Sequence, residues 1–255
     1  MCIKILCFLV IVYIFLTKNP CFGQQDSMYY SQETYRQSVS AQVFRKCYLA
    51  PSLFLTYGLT AIKNPFLQAQ NQYFKQSIQE RNPLRVHIDD YTQYASQAAF
   101  LGLDALGVRA KHPIQQRLFT GLVSHAIMAS VVNLMKKTVP IMRPDGSADN
   151  SFPSGHTATA FVGAELLWQE YYEKNIWYGV AGYAVATGTG FFRMYNNKHW
   201  FSDVAMGAGI GIMSTKIAYW LLPSFESKCL KLPKNYSLVP SYNGEYTQLS
   251  LFVQL

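Results

Sequence analysis

The chain has 255 residues, half of them hydrophobic and 14% charged, with a net charge of +8. That length holds one large domain or two small ones, and the cationic excess favours anionic partners: phosphate groups, an acidic membrane surface or nucleic acid. Nucleic acid is the weakest of these, because the basic residues are scattered and no nucleic-acid fold signature occurs. A mean hydropathy of +0.03 is low for a multi-span membrane protein.

In chain order, the N-terminus reads as a targeting segment. Lys4 begins it, Ile5 to Thr17 is an apolar run of signal-peptide length, and Cys21-Phe22-Gly23 offers small residues for cleavage before Gln24. An uncleaved anchor is the alternative. Residues 24–42 form a polar arm rich in Gln, Ser and Tyr. If the leader is removed, two cysteines remain, Cys47 and Cys229, and an oxidising compartment allows them to pair. The run from Cys47 to Ile62 predicts a first apolar helix, and Phe66 to Gln79 a short amphipathic one, ended at Arg81-Asn82-Pro83.

Ile88-Asp89-Asp90 reads as a helix start, with acids at the positive end, and the run continues to Gly107. Pro113 opens a helix to about Lys137. A loop from Pro140 to Pro153 follows, then Ser154 caps a helix to Tyr171 or Tyr172, and Asn175 starts another that ends near Met194. The last helix is expected over Trp200–Leu222, where Gly207, Gly209 and Gly211 permit close packing. Beyond Pro223, strand-like stretches Tyr236–Tyr242 and Glu245–Val253 flank Asn243-Gly244, a hairpin signal. The expected fold is all-α: a six-helix bundle core with a small C-terminal β-hairpin. Its divisions are a leader at 1–23, an arm with the first helices at 24–87, a core at 88–223 and a tail at 224–255.

The apolar runs are borderline for spanning a bilayer, and several hold charge: Asp104, Glu165, Asp203 and Lys216. A leader followed by six full spans would place the ends of the third and fifth runs in the cytoplasm. An exported, membrane-associated domain is the favoured arrangement, on the periplasmic side if the source is bacterial.

The chemistry concentrates at those ends. Lys136, Arg143 and Arg193 can neutralise the charge of a transferring phosphoryl group, and Ser154-Gly155 at a helix start adds free N–H groups. Taken singly, each cation reads as a solvated surface residue. His199 and Asp203 lie four apart on one helix face, so the carboxylate can hold the imidazole in one tautomer. Such an imidazole can attack phosphorus, though an isolated pair of this kind also serves as a plain helix-start contact. His156, after Pro153-Ser154-Gly155, could protonate the leaving oxygen. A zinc site of His156, His199 and Asp203 is the other use of these ligands, and three nearby cations argue against it. His87, His112 and His125 lack matching partners and read as structural.

Lys136-x6-Arg143-Pro144, then Pro153-Ser154-Gly155-His156, then Arg193-x5-His199-x3-Asp203 resembles the three-part signature of the type-2 phosphatidic acid phosphatase and vanadium haloperoxidase superfamily. The resemblance covers about residues 90–222. It implies a six-helix core, with the site at one end of the bundle, and a phosphohistidine on His199 supported by Asp203. His156 then has the acid role, and Lys136, Arg143, Ser154, Gly155 and Arg193 bind the phosphate. No metal or other cofactor is implied for the phosphatase branch. One departure stands out: Phe192 occupies the position before the third-motif Arg, where the family usually has Ser.

The leading expectation is a phosphatase acting on phosphate monoesters or diphosphates of membrane lipids: polyprenyl diphosphate, phosphatidate-type lipids or lipid A phosphates. Its partners are then a phosphorylated lipid and a membrane surface. The competing readings are an exported acid phosphatase for soluble esters, a vanadate haloperoxidase and an inactive envelope-binding module.

Overall fold

A computed structural model of the chain describes residues 48–79, 86–229, 236–242 and 247–253. The leader at 1–23, the polar arm, the break at Arg81-Asn82-Pro83 and the Cys47–Cys229 pairing lie outside the described residues.

The fold is predominantly helical. Helix α1 covers residues 48–61 and α2 covers Pro65–Gln79. A single turn, α3, spans Asp89–Thr92, and α4 spans Ala95–Gly102. Four longer helices follow: α5 Ile114–Thr138, α6 Gly155–Tyr171, α7 Ile176–Tyr195 and α8 Phe201–Cys229. Most starts are where capping chemistry puts them. Pro113 precedes α5, Ser154 Oγ accepts from Thr157 N at 3.4 Å, and Asn175 Oδ1 accepts from Trp177 N at 3.0 Å.

Two elements depart from the sequence expectation. The run expected from Ile88 to Gly107 is broken into α3 and α4 at Gln93-Tyr94. The break lets the α3 turn face α7, to which Asp89 is tied by Arg193 and Asn196. Helix α8 does not stop at Leu222 but continues through Pro223 to Cys229. Strand β1, Tyr236–Tyr242, pairs antiparallel with β2, Thr247–Val253, with Pro240 opposite Leu249. In a two-stranded sheet both strands are edges, so a proline without an N–H is tolerated. The Asn243-Gly244 connection lies outside the described residues.

Helix α6 is the centre, packed against α4, α5, α7 and α8. Small residues allow this. A Cβ on Gly207 would lie 2.6 Å from the Ser154 carbonyl, and one on Gly211 would lie 2.5 Å from that of Ala158. The backbone of α8 therefore rides directly on the first turns of α6, and Ser154 N donates to the Asp203 carbonyl at 3.1 Å. Phe100, Val132, Met135, Phe152, Leu166, Met206 and Ile210 fill the core around this contact.

The polarity of α5 is inverted in its first half. Arg117, Thr120 and Ser124 are buried, whereas Leu118 and Leu122 are exposed, Leu122 by 72%. Arg117 is held inside by the Phe100 carbonyl and the Tyr171 hydroxyl. Of the charges noted in the apolar runs, Glu165 and Lys216 pair with each other, and the buried Glu170 is paired as well. Glu165 receives Lys216 Nζ at 2.8 Å and the Tyr183 hydroxyl, and Glu170 receives His112 Nδ1 at 2.8 Å. Among the described residues, α5 and residues Phe201–Phe225 of α8 are long and apolar enough to cross a bilayer.

Candidate functional site

The three motif pieces meet where α5 and α7 end and α6 and α8 begin. Lys136, in the last turn of α5, donates to the Asn150 carbonyl at 2.6 Å. Arg143, in the loop that follows, places Nε 3.1 Å from Asn150 Oδ1. One residue, Asn150, thus holds two of the expected phosphate binders. The loop folds back on itself, with Ile141 bridging to Asn150 and Arg143 N donating to the Ala148 carbonyl at 2.8 Å. It is fastened outside by Lys198 on Asp145 at 2.7 Å, Lys75 on the Pro144 carbonyl at 2.8 Å and the Trp200 indole on the Met142 carbonyl at 2.8 Å.

His199 is 3% exposed and Asp203 is fully buried. The sequence expectation was that Asp203 fixes the imidazole directly. The structure differs: the nearest carboxylate oxygen is 3.6 Å from Nδ1, beyond hydrogen-bond reach. Nδ1 instead lies 2.7 Å from the Ser151 carbonyl. A carbonyl only accepts, so Nδ1 carries the hydrogen and Nε2 bears the lone pair. Asp203 acts one step back: its Oδ2 accepts from Ser151 Oγ at 2.5 Å and from Trp200 N at 2.9 Å. It thereby sets the loop whose carbonyl aims the ring. Burial pushes the His199 pKa down to about 4, and Asp203 resists that while Arg193 and Lys136 add to it. The free imidazole is therefore neutral.

Arg193, at the end of α7, is 8% exposed. Its Nη1 lies 2.6 Å from Asp89 Oδ2, and its Nε is buried with no hydrogen-bond partner. Asn196 Nδ2 donates to the other Asp89 oxygen at 3.0 Å. His156, on the first turn of α6, sets Nε2 3.0 Å from Asp90 Oδ1. Burial, with help from Arg193, lowers its pKa below 6.5, against the pull of Asp90 and Asp89. Ser154 is fully buried at the N-cap, and Gly155 has only Val132 Cγ1 near its Cβ position, at 3.9 Å. Phe192 packs edge-on against Phe191 and Tyr195.

All eight residues singled out in the sequence thus lie where α5 and α7 end, where α6 and α8 begin, or in the loop between α5 and α6. The sequence reading missed four others: Asn150, Ser151, Asp89 and Asp90. In the sequence the acids read as a helix start, and no local spacing marks Asn150 or Ser151. His199 and Asp203 do not group with His156 as metal ligands. Among the described residues the group with that potential is Asp89, Asp90 and His156, and there Arg193 already neutralises Asp89. His87 stands 3.7 Å from Asp90, His112 is taken by Glu170, and His125 bonds Gln97 and the Gly121 carbonyl. Beside the site a cavity of about 230 Å³ is walled by Asn71, Gln72, Met142, Trp200 and Ser202.

Residues 130–226 match the family model described as the PAP2 superfamily. The chain is 42% identical over 135 residues to a lipid A 1-phosphatase of Porphyromonas gingivalis, covering 52% of this chain and 30% of that protein. It is 33% identical over 99 residues to the bacitracin transport permease protein BcrC of Bacillus licheniformis, covering 37% and 47% respectively. The chain thus spans less than half the length of these curated relatives. A transmembrane PAP2-type phosphatidylglycerolphosphate phosphatase from Bacillus subtilis superposes with a TM-score of 0.46 at 18% identity, over 74% of this chain and 99% of that one.

Proposed function

We propose, from the match of residues 130–226 to the PAP2 superfamily, that this chain is a metal-independent phosphatase of membrane lipid phosphates. The observation that carries the chemistry is the neutral, buried His199, with its Nε2 lone pair free and Lys136 and Arg193 close enough to perturb it. Lys136, Arg143, Arg193 and the Ser154-Gly155 turn hold the phosphoryl oxygens and offset the charge that builds on them. His199 Nε2 attacks phosphorus, a P–N bond forms and the P–O bond to the leaving group breaks. Protonated His156 gives its proton to the departing oxygen. In the second half, neutral His156 takes a proton from water as that water attacks the phosphohistidine and frees His199. Asp203 keeps the Ser151 carbonyl in place, which stabilises the Nδ1–H while Nε2 carries the phosphoryl group.

Lipid substrates are favoured by the inverted polarity of α5, which puts leucines outward and Arg117, Thr120 and Ser124 inward. Such a surface suits a hydrocarbon surround. The similarity to a lipid A 1-phosphatase supports testing lipid A phosphates together with phosphatidate-type lipids and polyprenyl diphosphates. We read residues 88–223 as the phosphatase core of six helices, preceded by a leader and followed by a hairpin tail, acting in the cell envelope on the periplasmic side.

The test is a phosphate-release panel on the purified protein in detergent, with lipid A, phosphatidate, polyprenyl diphosphate and soluble sugar phosphates. The expected result is release from a lipid phosphate that EDTA leaves intact, vanadate blocks and His199→Ala abolishes. Release from soluble esters alone would favour the acid phosphatase reading, and activity in His199→Ala would remove the nucleophile.

A further inference from the structure

We infer that Asp90 is a positioning residue for His156, an inference that rests on the phosphatase reading of this same site. The carboxylate meets the ring at Nε2, 3.0 Å away. An ionised carboxylate only accepts, so Nε2 keeps a hydrogen in both protonation states of the ring. The proton that moves is then the one on Nδ1. Protonated His156 donates it to the leaving oxygen, and neutral His156 recovers it from water at the same atom. Asp90 fixes which nitrogen works and stabilises the imidazolium that must form.

Consecutive acids divide the labour. Asp89 is 1% exposed and spent on Arg193 and Asn196, as a fixed counter-ion. Asp90, half exposed, faces His156 on the open side of the site, where the His156 side chain is 31% exposed. The backbone that carries both is clamped, because the Asn196 side chain bonds both Val86 N at 3.0 Å and the Val86 carbonyl at 2.7 Å. The break between α3 and α4 is what lets one turn present two carboxylates in two directions. Other charges also face these groups: His87 lies 3.7 Å and Arg193 3.9 Å from Asp90, and Arg193 and Asp89 act on His156.

The experiment compares wild type, Asp90→Asn and Asp90→Glu on two esters. Dioctanoyl phosphatidate has an alkoxide leaving group that needs a proton, whereas p-nitrophenyl phosphate has one that leaves without help. Asp90→Asn is expected to lower kcat/KM on the phosphatidate, which reads only the steps up to phosphohistidine formation, by roughly 10- to 100-fold. On p-nitrophenyl phosphate the loss is expected to stay within about threefold. Asp90→Glu should restore part of the loss, and the basic limb of the pH profile should move to lower pH in the Asn variant. Equal losses on both esters, or none on the phosphatidate, overturn the assignment. If wild type cleaves neither ester, the phosphatase reading has failed instead. The Asp90–His156 coupling is then read by NMR titration of His156: a lower pKa in Asp90→Asn sustains it and an unchanged one refutes it.

Discussion

His199 makes stability depend on pH in a way that can be isolated. Its folded pKa is about 4 and its ordinary value 6.5. As pH falls, the unfolded chain therefore takes up the proton first. The stabilisation is fully present above 6.5 and is lost between 6.5 and about 4. At about 1.4 kcal/mol per tenfold change, that interval is worth about 3 kcal/mol. For a domain of this size the loss corresponds to a fall in Tm of roughly 6–12 °C. The cause is the burial of the ring beneath the Ser151 carbonyl, with Arg193 and Lys136 nearby. His199→Asn removes the titrating group, and its amide N–H can still reach Ser151. Thermal unfolding in detergent at pH 7 and pH 4 would be followed for both proteins. Groups that act alike in both, such as the Asp145–Lys198 pair, cancel in the comparison. The wild-type Tm should fall further than that of the variant by the stated amount. Parallel falls would refute the buried neutral imidazole, and with it the ready nucleophile.

The same histidines set the rate profile. In the proposed mechanism kcat/KM needs His199 neutral, which holds above about 4, and His156 protonated, a state lost as pH rises through a pKa that burial holds under the ordinary 6.5. The optimum on a soluble ester, corrected for the ester's own ionisation, should lie on the acid side of neutrality; an alkaline optimum would reverse the assigned roles. Packing is testable separately. Gly211→Ala drives a Cβ to 2.5 Å from the Ala158 carbonyl and should cost about 1–3 kcal/mol in thermal unfolding. Gly188→Ala meets no atom within 4 Å and should be neutral or stabilising by up to about 1 kcal/mol. Similar losses in both would mean that helix α8 does not ride on α6 as described.

The residues proposed for the chemistry were legible because they sit beside element ends that capping and proline chemistry mark. Ser154 and Asn175 cap helices, Pro113 opens one, and Lys136, Arg143, His156, Arg193, His199 and Asp203 fall at fixed steps from those marks. Their order and internal spacing survive folding, since each piece is local. What the sequence left undecided depends on distance along the chain. Asp89 meets Arg193 across 104 positions and Asp90 meets His156 across 66, so neither pairing leaves a local pattern. Read alone, two acids before an apolar run mean a helix start. The histidine–carboxylate pair at His199 and Asp203 was visible as a spacing. The interposed Ser151 carbonyl was not, because a backbone acceptor has no residue-type signature. The polarity of α5 is the third such case. Alternating apolar and polar residues give the same period whichever side faces inward. Only the neighbours, Phe100 and Tyr171 bonding Arg117, determine that the polar side is the buried one.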